Sequence, residues 1–378
     1  MMVDKRKFKD INVSLLGLGT MRLPCETEQK RESNPNIDYD KAQSLVDLAY
    51  KNGVNYFDTA YMYHCGKSEA FIGYALKKYP RDTYYLADKL PIWLCDTKED
   101  MKRVFDEQLE RTGMDYFDFY LLHSLDNENF EKCEKFDAYD FLKQMQKEGK
   151  IKYIGFSFHG TVDDLRNIVS AHKWDFAQIQ MNYLDWENQN AKMQYQILEE
   201  AGIPTIVMEP VRGGKLALVN DEISDMFKSL KPDNSPASWA MGFVASHKNI
   251  ITILSGMNSA EQMLDNLSTL TDFKPFTDIE YSLCEKAATI INKSEVISCT
   301  GCDYCQPCPK GIKISSFFSL YNSVVSGEVD INLGRDKYNS YKVNPTACAW
   351  CNKCKNHCPQ SISVPDVLEG KVVKLFMQ

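Results

Sequence analysis

Several things are missing from this chain of 378 residues, and each absence narrows what it does. No apolar run approaches the roughly twenty residues of a membrane-spanning helix, so insertion into a bilayer is not expected. The charged opening MMVDKRKFKD is followed by no apolar stretch of a secretion signal. Positive charge is not in excess: the formal net charge of −8 argues against a general affinity for nucleic acid or anionic membrane. Together these predict a cytoplasmic protein. A Gly-x-Gly-x-x-Gly turn is also absent, since the first strand candidate runs into GLGTMRLP. Cysteine, by contrast, is abundant, with thirteen residues. Disulfides are rare in the cytosol, so metal is the usual reason for such a number.

With 44% apolar and 25% charged residues the composition is that of a globular protein with a substantial core. Up to about residue 270, short β-branched or aromatic runs alternate with amphipathic stretches. The strand candidates are SLLGLGT, VNYFDT, YYLADKL, YFDFYLLHS, IKYIGFS, FAQIQMN, IPTIVME and IITILSG. Helix candidates such as YDKAQSLVDLAYKNG and FDAYDFLKQMQKEGK stop at Gly53 and Gly149. Eight strands, mostly apolar on both faces and separated by helices, predict a parallel (β/α)8 TIM barrel. A doubly wound open sheet is the alternative on pattern alone. In a barrel, chemistry belongs at the carboxyl ends of the strands.

The second, third and fourth strand candidates end in YFDTAYMYHCGKSE, LADKL and LLHS. They place Asp58, Lys89 and His123 at three consecutive strand ends, with Tyr63 five residues beyond Asp58. A tyrosine is a weak acid at neutral pH, with an ordinary pKa near 10. A neighbouring lysine ammonium stabilises its phenolate, a carboxylate holds the lysine, and a histidine can donate to a carbonyl oxygen gaining charge. Such a set can protonate an alkoxide as hydride reaches carbon. These residues, with LLGLGTMRLP, AQIQMNY and SGMNSAEQMLDNL, resemble the aldo-keto reductase family in order and spacing over about seven tenths of the chain. The resemblance implies a barrel that binds a nicotinamide cofactor, with Tyr63 as general acid, Asp58 and Lys89 as its tuning partners, and His123 as carbonyl orienter.

It also implies cofactor positions. Thr20 and Met21 would line the nicotinamide ribose, Asp58 would also bind the cofactor, and Ser157 and Gln180 would hold the carboxamide. Met208 would face the ring, where many relatives place an aromatic. Pro210, Arg212, Gly213 and Gly214 in MEPVRGGKL correspond to the family's phosphate loop, with Lys215 a further source of charge. Phe158 and His159 stand where the family commonly has asparagine after the serine. Gly256, Met257, Gln262 and Asn266 follow the eighth strand, with no Lys or Arg in SGMNSAEQMLDN to meet a 2′-phosphate. The choice between NADH and NADPH therefore stays open.

The tail carries Cys299, Cys302, Cys305 and Cys308, then Cys348, Cys351, Cys354 and Cys358, each run closing in Cys-Pro. The second run is Cys-x2-Cys-x2-Cys-x3-Cys-Pro, the bacterial ferredoxin pattern, and the first is one residue shorter before its Cys-Pro. Zinc is the rival metal, although successive gaps of two are cramped for zinc knuckles. Eight ligands suit two 4Fe–4S clusters, and in ferredoxin-like pairs the fourth cysteine of each run binds the partner cluster. The intervening ISSFFSLYNSVVSG reads as helical. The expected domains are a barrel over 1–275, a linking helix over 276–298 and a small, mainly helical ferredoxin-like iron–sulfur domain over 299–378. The whole resembles a bacterial and archaeal branch of the aldo-keto reductases with a carboxyl-terminal iron–sulfur domain.

Three functions are consistent with this pairing. One is a reductase of small carbonyl compounds, or dehydrogenase of alcohols, whose clusters exchange electrons with a ferredoxin-like partner. Hydride carries two electrons and a cluster takes one; a flavin would convert between them, but no flavin motif is visible. In the second the tail is a structural or docking module. In the third the chain is a non-catalytic redox protein. Tyr61, Trp93, Trp186 and the HSLDNENFEKCEKFD loop are candidates for shaping the substrate pocket, and Cys65 and Cys95 fall in strand-end loops beside it.

Overall fold

The computed structural model describes residues 1–26, 36–293, 296–360 and 362–377. The chain divides into two compact units, Met1–Val211 with Leu216–Glu285, and Arg212–Lys215 with Lys286–Gln378.

The first unit opens with an antiparallel hairpin, β1 (Lys5–Phe8) and β2 (Ile11–Ser14). Eight parallel strands then close a barrel: β3 (Leu16–Gly19), β4 (Tyr56–Asp58), β5 (Tyr85–Leu90), β6 (Phe117–Leu125), β7 (Ile151–Phe158), β8 (Phe176–Gln180), β9 (Thr205–Met208) and β10 (Ile250–Ser255). Every strand candidate read from the sequence is one of these staves. Their residues are buried on both faces, which is why they read as continuous apolar runs rather than alternations. The hairpin escaped the sequence reading because KRKF and INVS are short and largely polar. Its Phe8 ring lies 5.4 Å from Phe119 and 6.5 Å from Phe176, near the amino ends of β6 and β8. The hairpin thus closes the amino end of the barrel and leaves the carboxyl end for chemistry.

Helices surround the strands. Thr97 and Thr161 each begin one with a reciprocal capping box to Asp100 and Asp164. The helix Ser68–Leu76 touches Lys98–Thr112 at Gly73, where a Cβ would fall 2.0 Å from the Thr112 carbonyl oxygen, so only glycine fits. The stretch HSLDNENFEKCEKFD, expected as a loop, holds the helix Asn127–Lys135, capped by Asp126 accepting from the Asn129 N–H at 2.8 Å. Among the described residues no helix is long and apolar enough to cross a membrane.

The helix Asp278–Lys293 carries the chain from one unit into the other. The second unit has its own small core, in which Ile297, Phe317, Phe318, Tyr338, Leu368 and Phe376 are buried together. The helices Ile314–Val325 and Ile331–Ser340 supply much of it. Six of the tail cysteines, Cys299, Cys305, Cys308, Cys348, Cys354 and Cys358, pack along its edge.

Candidate active site and candidate metal centre

Strands β4, β5 and β6 lie side by side, so their carboxyl ends bring Asp58, Lys89 and His123 together. Lys89 is fully buried, and its ammonium donates to Asp58 Oδ1 at 2.7 Å, to the Thr59 carbonyl at 2.7 Å and to Tyr63 Oη at 3.4 Å. The Tyr63 ring stands edge-on to His123 at 6.3 Å, and Trp93 approaches His123 at 5.0 Å. Tyr63 is followed by His64 and Cys65 at φ 49° and 54°, left-handed conformations that cost non-glycine residues roughly 1 kcal/mol each. His64 Nε2 accepts from the Leu23 N–H at 3.2 Å, and its Nδ1 lies 3.8 Å from Cys25 Sγ. These contacts hold the turn that presents the phenol.

Burial pushes the Tyr63 phenol well above its ordinary pKa, with Asp58, Glu209 and Asp88 adding to the effect and Arg22 opposing it. The net direction is opposite to the lowering expected from Lys89. A phenolate half withdrawn from water and facing several carboxylates has more against it than one ammonium, already committed to Asp58 and Thr59, can offset. Tyr63 therefore rests protonated, the form that can give a proton to an alkoxide. Burial also raises Asp58, against the pull of Lys89. His123 falls well below its usual value through burial and the positive charge of Lys89, so its imidazole is neutral. Its Nδ1 is buried with no hydrogen-bond partner among the described residues.

The cofactor positions have varied surroundings. Thr20 Oγ1 donates to the Asp58 carbonyl at 2.9 Å and accepts from Ser68 Oγ at 2.6 Å, which braces the Asp58 strand end. Met21 follows in the same short turn. Ser157 Oγ accepts from the Ser124 N–H at 2.7 Å, and Gln180 Nε2 donates to Asp185 at 2.7 Å. Met208 Sδ accepts from Gln178 Nε2 at 3.5 Å. Asn266 Nδ2 donates to Ser255 Oγ at 3.0 Å, and Gln262 Oε1 accepts from the Asn258 N–H at 2.9 Å. Gly256 lies against the side chain of Arg22, with Arg22 carbons 3.1 Å from where a Cβ would stand. Arg22, in the short turn after β3, thus brings a cation beside Gly256, where it pairs with Glu209 at 3.0 Å. Sequence reasoning missed Arg22 and Glu209 because they are 187 residues apart. His159 is held neutral by burial, its pKa down to about 4.

Other candidates divide. Trp93 is at the site. Trp186 instead packs among Tyr195, Phe243 and His247, and Tyr61 donates to Glu107 at 2.7 Å with Arg111 stacked over its ring. Cys95 is fully buried, its thiol pushed up to about 11, so it lines no open pocket, whereas Cys65 is exposed. A second group missed by sequence reading sits behind Lys89. Glu69, Asp88 and Gln108 are fully buried, and Gln108 Nε2 reaches Glu69 Oε1 at 3.1 Å, Asp88 Oδ1 at 2.9 Å and the Lys89 carbonyl at 3.0 Å. Asp88 Oδ1 also accepts from the Lys89 N–H at 2.8 Å. Burial, then Glu69, raises the Asp88 carboxyl well above the usual range.

Among the described residues no disulfide joins any of the eight tail cysteines of the second unit. The two runs share one backbone path. Gly301 N–H donates to Cys299 Sγ at 3.3 Å, and Trp350 N–H donates to Cys348 Sγ at 3.5 Å, in each case from two residues on. Gly301 and Asp303 have φ of 64° and 63°, and the matching Trp350 and Asn352 have 55° and 59°. Electrostatic contacts group the thiols across the runs. Cys305 feels Cys302, Cys299 and Cys358, while Cys354 feels Cys348 and Cys308. Among the described residues no three His, Cys, Asp or Glu side chains close on a single ion. A 4Fe–4S cube binds one thiolate at each iron corner and does not require that.

The Arg212–Lys215 loop belongs to this unit by its contacts. Arg212 is buried, and its Nε and Nη2 donate to Gln360 Oε1 at 3.3 and 3.2 Å. Lys215 Nζ donates to the Ile297 carbonyl, and a Cβ on Gly213 would fall 2.8 Å from the Thr300 carbonyl oxygen.

A model of the aldo/keto reductase family matches residues 15–289, ending before the first cysteine run. The uncharacterized oxidoreductase YqkF of Bacillus subtilis is 25% identical over 298 residues, covering 70% of this chain and 90% of that protein. The NADH-specific methylglyoxal reductase of Escherichia coli is 24% identical over 309 residues, covering 69% and 91%. The holo form of the aldo-keto reductase AKR11C1 from Bacillus halodurans superposes with a TM-score of 0.61 at 25% identity, over 75% of this chain and 96% of its own.

Proposed function

The chain belongs to the aldo/keto reductase family and is an oxidoreductase, and on that premise we propose that it interconverts a small carbonyl compound and its alcohol through Asp58, Tyr63, Lys89 and His123. The observation that carries the proposal is the buried Lys89 ammonium, held between Asp58 and Tyr63. A bound nicotinamide supplies or accepts the hydride. Tyr63 holds the proton that passes to the carbonyl oxygen, Lys89 stabilises the phenolate left behind, and Asp58 fixes Lys89. The neutral His123 offers an N–H to the oxygen as it gains charge. The reductase of Escherichia coli is named for NADH and methylglyoxal, which makes NADH and small dicarbonyls the first pair to assay. Tyr63→Phe should lower kcat by about 10²–10⁴-fold with little change in KM. Unchanged turnover would remove the tetrad assignment.

The tail residues fit two 4Fe–4S clusters in crossed sets, Cys299, Cys302, Cys305 and Cys358 for one, Cys348, Cys351, Cys354 and Cys308 for the other. The shared backbone path and the cross-run grouping of thiols support this reading. Each cluster would take up or give one electron. Anaerobic addition of NADH and then NADPH, followed by iron–sulfur absorbance, tests whether the two halves exchange electrons. Bleaching supports a cluster relay with a ferredoxin-like partner as the acceptor, and calls for a bound converter such as a flavin that takes the hydride and passes its two electrons on singly. Clusters that stay oxidised with NAD(P)H, yet bleach with a stronger one-electron donor, favour the structural reading. That second reading rests on the grip the unit has on Arg212–Lys215.

A further inference from the structure

The helix Lys98–Thr112 reaches the active site from behind at two places. Gln108 and Arg111 stand three residues apart on it, so their side chains share one face. Gln108 holds the peptide of Lys89. Its Nε2 donates to the Lys89 carbonyl at 3.0 Å and to Asp88 Oδ1 at 2.9 Å, and that same oxygen accepts from the Lys89 N–H at 2.8 Å. The Tyr120 hydroxyl of β6 donates to Gln108 Oε1. The amide is thereby fixed in one sense, because a flip would turn its oxygen onto the Lys89 carbonyl and two carboxyls. One turn further on, Arg111 holds Tyr61, two residues before Tyr63. Its guanidinium stacks over the Tyr61 ring at 4.1 Å and donates to Glu107 Oε2 at 3.2 Å, the oxygen to which Tyr61 Oη donates at 2.7 Å. Glu69 joins the two places: Oε2 accepts from Arg111 at 3.0 Å, and Oε1 accepts from Gln108 at 3.1 Å. Gln108 and Glu69 are fully buried. An unbroken chain of hydrogen bonds thus runs from the Lys89 peptide to Tyr61.

We propose that Gln108 and Arg111 are positioning residues that set the separation of the Lys89 ammonium from the Tyr63 hydroxyl, which is 3.4 Å. Lys89 and Tyr63 are 26 residues apart and come from different places, the end of β5 and the turn after β4. A single helix face tied to both fixes one against the other. The pair needs this support, because Asp58 and Thr59 draw the same ammonium at 2.7 Å each, closer than Tyr63 does. The inference rests on the proposed roles of Lys89 and Tyr63 and adds what keeps them within reach. A displacement of about 1 Å at reacting groups, caused from a distance, costs roughly 10²-fold in rate.

The test measures NADH-dependent reduction of methylglyoxal by the full chain and by Gln108→Met and Arg111→Met, with melting temperatures recorded alongside. In both variants kcat should fall by about 10–10²-fold while KM for the carbonyl and for NADH stays unchanged, because the loss falls on the transition state alone. Residues that act as a unit are not additive, so Gln108→Met placed on Tyr63→Phe should lower the residual rate little further. A merely structural role would instead lower the melting temperature and repeat its full effect on that background. Folded variants with the kcat of the original protein would overturn the inference and leave the four site residues in place. A loss confined to KM, or one that recurs in full on Tyr63→Phe, would overturn it as well. Should the buried substitutions prevent folding, Tyr61→Phe carries the test, since it removes one half-buried hydroxyl and keeps the ring under Arg111. Its kcat should fall by about 2–10-fold, the weight of one hydrogen bond, and an unchanged kcat there would refute the positioning role. Unchanged turnover in Tyr63→Phe itself would instead overturn the proposed function.

Discussion

Lys89→Met separates the stability of the site from its chemistry. The substitution keeps an unbranched side chain of similar reach and removes the ammonium that Asp58 Oδ1 meets at 2.7 Å. Asp58 is 2% exposed, and its Oδ2 already lacks a hydrogen-bond partner among the described residues. The variant therefore buries a carboxylate with no counter-charge, a loss of about 3–5 kcal/mol. At about 2–4 °C per kcal/mol for a domain of this class, the melting temperature should fall by roughly 6–20 °C at pH 7. The pH dependence has a definite sign. An unpaired buried carboxyl has a folded-state pKa above its unfolded value near 3.9, so the folded state keeps the proton longer. The deficit is therefore small below about pH 4 and grows as pH rises towards the folded pKa. Asp58→Asn with Lys89→Met removes both charges and should recover most of the melting temperature, while turnover stays as low as in the single variant. Thermal melts of the three proteins at pH 5 and pH 8, with NADH-dependent carbonyl reduction measured alongside, check both halves. A single variant that melts with the unsubstituted protein, or a double variant no more stable than the single, would refute the reasoning.

The cysteine assignment and the carboxyl pair give two further expectations. Cys358→Ala should cut bound iron from about eight atoms per chain to about four and spare the set containing Cys354; Cys308→Ala should remove the other half. If both cysteines of one run proved to serve a single cluster, Cys358→Ala and Cys354→Ala would abolish the same spectral component, against the crossing. Asp88→Asn keeps an oxygen for the Lys89 N–H and offers Glu69 an N–H in place of the carboxyl proton. Asp88, raised by burial, weakens the folded state as pH climbs above the unfolded value near 3.9. The variant should therefore match the original near pH 4 and exceed it by about 1 kcal/mol or more at pH 8, seen in denaturant melts. A constant difference across that range would show that Asp88 is ionised in the fold.

The staves of the barrel were readable because a parallel strand buried on both faces leaves a compact apolar run, as in FDFYLL or IITIL. Asp58, Lys89 and His123 were readable because each ends such a run, and topology alone then makes them neighbours. What the residues do to one another was less accessible. The upward displacement of Tyr63 comes first from burial and then from Asp58, and Glu209 adds to it from a strand end nearly 150 residues away. The Glu69–Asp88–Gln108 group joins two helices and a strand, and no local pattern marks it. The helix Asn127–Lys135 carries few apolar residues among its charges and so read as a loop. Arg212 stands in a glycine turn that looks like a phosphate loop by itself, and nothing local indicates that its guanidinium lies on Gln360.

That last contact also sets an order of events during synthesis. Gln360 follows Arg212 by 148 residues. At about 5–20 residues per second, roughly 7–30 s pass after Arg212 is made before its partner exists. Seven staves precede Arg212 and the eighth, β10, is made within that interval, so a newly made barrel can close while its loop is still loose. A chain released early, short of residue 360, would keep the strand ends that carry Asp58, Lys89 and His123 and lose the contact that Gln360 makes with Arg212.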